Sequence, residues 1–189
     1  MLACASRLFA AKGHQKTTFE EIAGASGVGV ATVYNHFQTK EGIVAALLRP
    51  DLEKIFAEGE RVLEKPPADP ATAMVRLLSA YRDLGGHNWK RRELLRSVIL
   101  PGVGNQGFLT ELVVEADART QAQIRALLRR HRQRRQLKAS LPIDDASAVI
   151  FALLNQHFAL FLTQPRLRFA TMFRMLSRRV RLVFDDWRR

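Results

Sequence analysis

The 189-residue chain carries 30 Lys and Arg against 18 Asp and Glu, a formal net charge of +12, with 47% hydrophobic residues and one cysteine. That hydrophobic share excludes an intrinsically disordered chain and supports one medium domain, or a small domain fused to a larger one. The lone Cys4 excludes an internal disulfide and any thiolate-built zinc or iron–sulfur site, which fits a reducing compartment.

The opening residues MLACASRLFAAKG lack the basic start, apolar run and cleavage site of a signal peptide, so a cytoplasmic location is expected. Apolar residues recur at helical spacing almost throughout, and no alternating β-branched run bounded by turn signals occurs, so the fold class is all-α. Gly13, Gly27, Gly29, Pro50, the run Lys65 to Pro70, Gly85-Gly86, Pro101 to Gly107, Pro142 and Pro165 punctuate the helices. The first helix places Leu2, Ala5, Leu8 and Phe9 on one face and stops at Gly13. A second begins at Thr17-Thr18, where either threonine can form a capping box with the glutamate three residues on, Glu20 or Glu21.

From Thr17 to Lys40 runs TTFEEIAGASGVGVATVYNHFQTK, in which Ile22, Ala23, Val28, Val33 and Phe37 supply a small core and Gly27 turns the chain between two helices. With Val33 and Phe37 inward, at about 100° per residue, Ala31 and Asn35 point outward and Thr32 and Tyr34 flank them. The stretch Val30 to Phe37 has no acidic residue, so it can approach phosphates without repulsion, as a major-groove helix must. Val30 or Ala31 can contact a thymine methyl and Asn35 can pair with adenine, which makes direct readout sparse and leaves DNA shape a share of the specificity.

Together with the following YNHFQTKEGIVAALL, and with the LF and AAKG of the first helix, this segment resembles the TetR family of repressors over about Leu2 to Leu48. The family pattern runs from a threonine pair through IA, GV, a T-aliphatic-Y unit and HF to KE. The resemblance implies a helix-turn-helix DNA-binding domain at 1–48 and a helical effector-binding and dimerisation domain at 49–189. It also implies DNA-backbone or groove-rim contacts from Thr18, Thr32, Tyr34, His36 and Lys40. The chain departs from the pattern at Gly29 and Val30, where polar residues are frequent, and at Phe19, where some relatives carry a base-reading arginine. The sequence starts inside the first helix, so either the start codon is misassigned or the basic arm of many relatives is absent.

Pro50, followed by Asp51 and Glu53, suits the first position of a new helix, so the fourth helix is expected to end near Leu48 and a second to start at Pro50. Farther on, helices between Ala71 and Leu128 would enclose a small-molecule effector if the resemblance extends so far. Met74, Leu78, Tyr81, Trp89, Val98, Phe108 and Val113 are the candidate lining groups. Two apolar helices close the chain. The stretch Ala146 to Leu162 is interrupted by Asn155, Gln156 and His157 and falls short of the roughly 20 residues of a membrane span, so no membrane partner is expected. Its apolar circumference exceeds what one protomer's core covers, and the resemblance assigns the last two helices to a homodimer interface, here Phe151, Leu154, Phe158, Phe161, Phe173, Leu176 and Val180.

The five histidines lack metal-ligand spacing, and neither a phosphate-binding glycine loop nor a nucleophile elbow is present, so no enzyme, catalytic residue, metal or cofactor is expected. The basic run RRHRQRRQLK is either a second anion-binding surface or a solvated helix end. The expected function is thus a ligand-responsive transcriptional regulator, most simply a repressor released from a near-palindromic double-stranded DNA operator by a small molecule. The competing expectation is a basic helical protein that binds RNA or anionic membrane surfaces.

Overall fold

The computed structural model describes residues 1–81, 92, 94–96 and 108–188, and every element among them is a helix. In chain order these are α1 (Leu2–Lys12), α2 (Phe19–Ser26), α3 (Val30–Phe37), α4 (Lys40–Glu64), α5 (Pro70–Ser79), α6 (Phe108–Gln133), α7 (Ile143–Thr163) and α8 (Phe169–Trp187). The chain divides into two compact units. One holds Met1–Leu52 and the described part of 88–115; the other holds the described parts of 53–87 and 116–189.

The first unit is built from short helices whose ends are fixed by local chemistry. α1 stops at Gly13, which adopts φ 89°, and the Thr17 hydroxyl donates to the Gly13 carbonyl at 2.9 Å. Of the two candidate caps, Thr18 is the one used: its hydroxyl accepts from the Glu21 amide at 3.3 Å and its own amide donates to Glu21 Oε2 at 2.8 Å. Gly27 is left-handed at φ 67°, and behind it Val28 donates to the Ala23 carbonyl at 3.2 Å. Ala5, Phe9, Ile22, Ala23, Val33, Ile43, Val44 and Leu48 fill the unit's core. Gly42 sits where a Cβ would collide with the Phe37 carbonyl oxygen, which ties the start of α4 closely to the end of α3.

The expected break at Pro50 does not occur, since α4 is one helix of 25 residues with Pro50 inside it. An interior proline removes one backbone hydrogen bond and crowds the carbonyl four residues back, a cost of about 3 kcal/mol. Burial on both sides of it offsets that cost: Ile43, Val44 and Leu48 are buried before Pro50 and Leu52, Ile55 and Phe56 after it. Pro50 itself faces solvent.

In the second unit long helices share an extended core of Val62, Met74, Leu77, Leu78, Ile124, Leu127, Leu128, Ile150, Leu176, Val180 and Phe184. Polar ties run along its part of α4 and α6. Arg119 makes a two-pronged pair with Glu53 at 2.6 and 3.0 Å, and its guanidinium lies 3.9 Å over the Phe56 ring. The buried Gln123 amide donates to the Phe56 carbonyl at 2.9 Å and to Glu60 at 2.7 Å. Gln123 occupies the space a Cβ at Gly59 would need. Asp69 caps α5 by accepting from the Thr72 amide at 2.8 Å, and also takes Arg188 at 2.6 Å from beyond the end of α8.

Candidate nucleic-acid interface

α3 is held by one fully buried side chain, Val33, with Phe37 half-buried behind it. Every other residue of the helix, Val30, Ala31, Thr32, Tyr34, Asn35 and His36, is exposed. The wheel drawn from the sequence therefore holds, and the outward face combines small, hydroxyl, amide and aromatic groups without an acid. Val30 and Tyr34 remain 41% and 56% exposed, unusual for large apolar or aromatic groups and suited to a surface that meets a partner. The helix starts at Gly29, whose lack of a side chain leaves the first amides uncapped and open to an approaching anion. Tyr34 is braced from α2 by Phe19, which meets it edge-to-face at 6.0 Å and 89°.

Two of the predicted contact residues have internal partners as well. Thr18 is exposed, but its hydroxyl and amide are engaged in the α2 cap. Lys40 is half-buried, and its ammonium donates to the carbonyls of His14 and Gln15 at 3.3 and 3.0 Å. It is thus a clamp on the α1–α2 turn, with one N–H left for an outside acceptor. The sequence reading missed that second role, and it passed over His14, the buried residue beneath the clamp.

Of the expected effector-lining residues, Met74, Leu78 and Tyr81 belong to the second unit and Val113 to the first. Met74 and Leu78, 0% and 1% exposed, are core residues of the second unit. Tyr81 packs against that core with its hydroxyl bonded to Thr120, and burial pushes its phenol up to about 12. Val113 is half-buried in the first unit. Trp89, Val98 and the Phe108 side chain lie outside the described residues.

The expected dimer residues divide into two sets by burial within one protomer. Leu154, Phe161, Leu176 and Val180 are 7%, 3%, 1% and 0% exposed within a single protomer, so they are committed to its own core. Phe151, Phe158 and Phe173 are half-buried. Periodicity identified these residues as buried; the covering surface is α5, α7 and α8 packed together in one chain. His157 belongs to the same packing, with Nδ1 on the Leu153 carbonyl at 2.6 Å and Nε2 accepting from Arg179. Beyond its first turn α7 leaves exposed a different face, Ala148, Val149, Ala152, Asn155, Gln156, Ala159 and Thr163. α8 leaves Ala170, Arg174, Arg178, Arg179, Arg181, Leu182, Asp185 and Asp186.

A capped three-helix unit that presents an acid-free helix, joined to a larger helical unit, is the architecture of helix-turn-helix transcriptional regulators. Residues 1–47 match the family model of bacterial regulatory proteins of the tetR family. The transcriptional repressor KstR2 of Rhodococcus jostii is 31% identical over 81 residues, 43% of this chain and 40% of that protein. The chain thus matches about two-fifths of the length of this curated relative. The fold is shared along the whole length with a transcriptional regulator from Rhodococcus sp. Rha1, at TM-score 0.72 and 19% identity over 98% of this chain and 95% of that one. FadR of Bacillus subtilis, solved in complex with stearoyl-CoA, gives TM-score 0.72 at 15% identity over 95% of each chain.

Proposed function

We propose that this chain is a homodimeric regulator of transcription, a repressor that grips a near-palindromic operator and leaves it when a small molecule occupies the effector domain. Residues 1–48 serve as the DNA-binding domain and 49–189 as the effector-binding and dimerisation domain. The observation that carries the reading is the outward face of α3, six exposed residues without an acid on a helix anchored by Val33. Thr32, Tyr34 and His36, with Thr18 and Lys40 beside them, meet phosphates or the groove rim; Val30, Ala31 and Asn35 meet base edges. The effector is apolar or amphipathic, the class to which the stearoyl-CoA held by FadR belongs. The protein acts in the cytoplasm on the bacterial chromosome, and no catalytic step is part of this reading.

Dimerisation falls to the exposed stripe of α7. Val149, Ala152, Gln156 and Ala159 recur at the i, i+3, i+7, i+10 spacing with which a helix meets a partner along a seam.

The test is selection of bound duplexes from a random library. An inverted repeat with half-sites about 34 Å apart is expected, and Asn35→Ala is expected to change the base chosen at one position per half-site. Ala152→Glu with Ala159→Glu is expected to give a monomer by light scattering and to abolish selection of a repeat. Selection of no preferred sequence by a folded dimer would overturn the proposal.

A further inference from the structure

His14 lies in the turn between α1 and α2 and is 7% exposed. Both of its ring nitrogens are buried and neither meets a partner at full hydrogen-bond geometry, the Lys40 backbone acting on the ring only as the smallest influence, and so incomplete a pairing calls for an explanation. The Phe9 ring of α1 meets it at 5.2 Å and 68°. α4 brings two charged groups. Glu41 Oε1 stands 3.6 Å from Nε2, beyond hydrogen-bond length, and the Lys40 ammonium is fixed on the carbonyls of His14 itself and of Gln15. These are the two charges that act on the ring. An apolar side chain would fill this space with no polar atom left over; what imidazole adds is the capacity to take a proton near neutral pH.

We propose that His14, Lys40 and Glu41 form a proton-sensitive latch between the α1–α2 turn and the first turn of α4, closed when His14 is neutral and loosened when it is protonated. The inference rests on the DNA-binding reading. A proton taken from solvent onto Nε2 makes the ring a cation that draws Glu41 inward. It also sets that cation beside the Lys40 ammonium, which grips the same residue's carbonyl. Like charges at such range repel, so the clamp on the turn is released. Thr17 and Thr18, which anchor the start of α2, follow within four residues of His14, so release loosens the seating of α2 within the unit. Burial holds the imidazole below its ordinary value, so the closed form prevails at neutral pH.

The sign of the effect is diagnostic. Added positive charge alone on His14 strengthens DNA binding as pH falls. Latch release weakens it. The experiment uses the full chain and a duplex selected from a random library at about pH 7.8, with affinity followed down to about pH 5.8 at fixed salt. Wild type is expected to lose about fivefold or more in affinity, and His14→Phe less than about twofold. Glu41→Gln, which removes the carboxylate that stabilises the charged ring, is expected to move the loss to lower pH. Helix content by circular dichroism accompanies each point, and His14→Leu replaces His14→Phe if the latter does not fold. A wild type that binds no selected duplex at the starting pH overturns the DNA reading and the latch with it. A wild type that binds there and then tightens on acidification, or tracks the His14 variant, overturns the latch alone.

Discussion

The two units of this chain are specified by different kinds of information. In the first, helices of eight to eleven residues are delimited by a threonine capping box, a left-handed glycine and a clamping lysine. In the second, helices of up to 26 residues are fixed by a core assembled from distant stretches, with Val62, Met74, Ile124, Ile150 and Phe184 in one cluster. Short helices are marginal alone, so their ends must be set residue by residue. Long ones tolerate loose ends because burial along their length decides their fate.

The largest effect expected from that contrast lies in the second unit. Phe184, 0% exposed in its core, should cost about 3–5 kcal/mol when replaced by alanine. Chemical denaturation checks the value, and a loss below about 1 kcal/mol would mean that the core closes over the gap. Gly42→Ala comes next, at about 1–3 kcal/mol, because its Cβ would meet the Phe37 carbonyl, which cannot move without shifting α3 against α4. Gly59→Ala sharpens the comparison: the obstacle there is the Gln123 side chain, which can swing aside and give up its bonds to Phe56 and Glu60. Equal thermal shifts for the two variants would break the distinction.

How much could be read in advance follows the same division. The Thr17-Thr18 cap, the Gly27 turn and the outward face of α3 depend on neighbours a few residues apart, so the sequence displayed them. The spacing of Leu154, Leu176 and Val180 records that they are buried without recording by which surface. Pro50 was misread because its penalty is local, whereas the burial that outweighs it is spread over two turns on each side. His14, Gly42 and Gln123 gave no signal: their importance lies in contacts with α4 from 26 to 67 residues away or, for Gly42, in one close backbone approach.

Two smaller effects complete the comparison. Thr18→Ala should lower stability by about 1 kcal/mol through the lost cap, with the melting shift confined to the first unit. Acid should act on both units, since burial holds His14 in the first and His131 and His157 in the second below the ordinary histidine value. The unfolded chain then binds more protons than the folded one, so stability is intact above about pH 6.5 and falls as pH drops below it. Melting temperatures across that range check the sign, and His157→Gln should flatten part of the slope.

Pro50 has one more consequence, for amide exchange. It has no amide proton, and it leaves the Ala46 carbonyl without the donor that the next turn would supply. The ladder of α4 is therefore interrupted once, two residues before the chain passes from one compact unit to the other. Opening that starts at either end of the helix has a natural stopping point there, so α4 should protect its amides as two blocks with separate opening free energies, each taking the rank of the unit it belongs to.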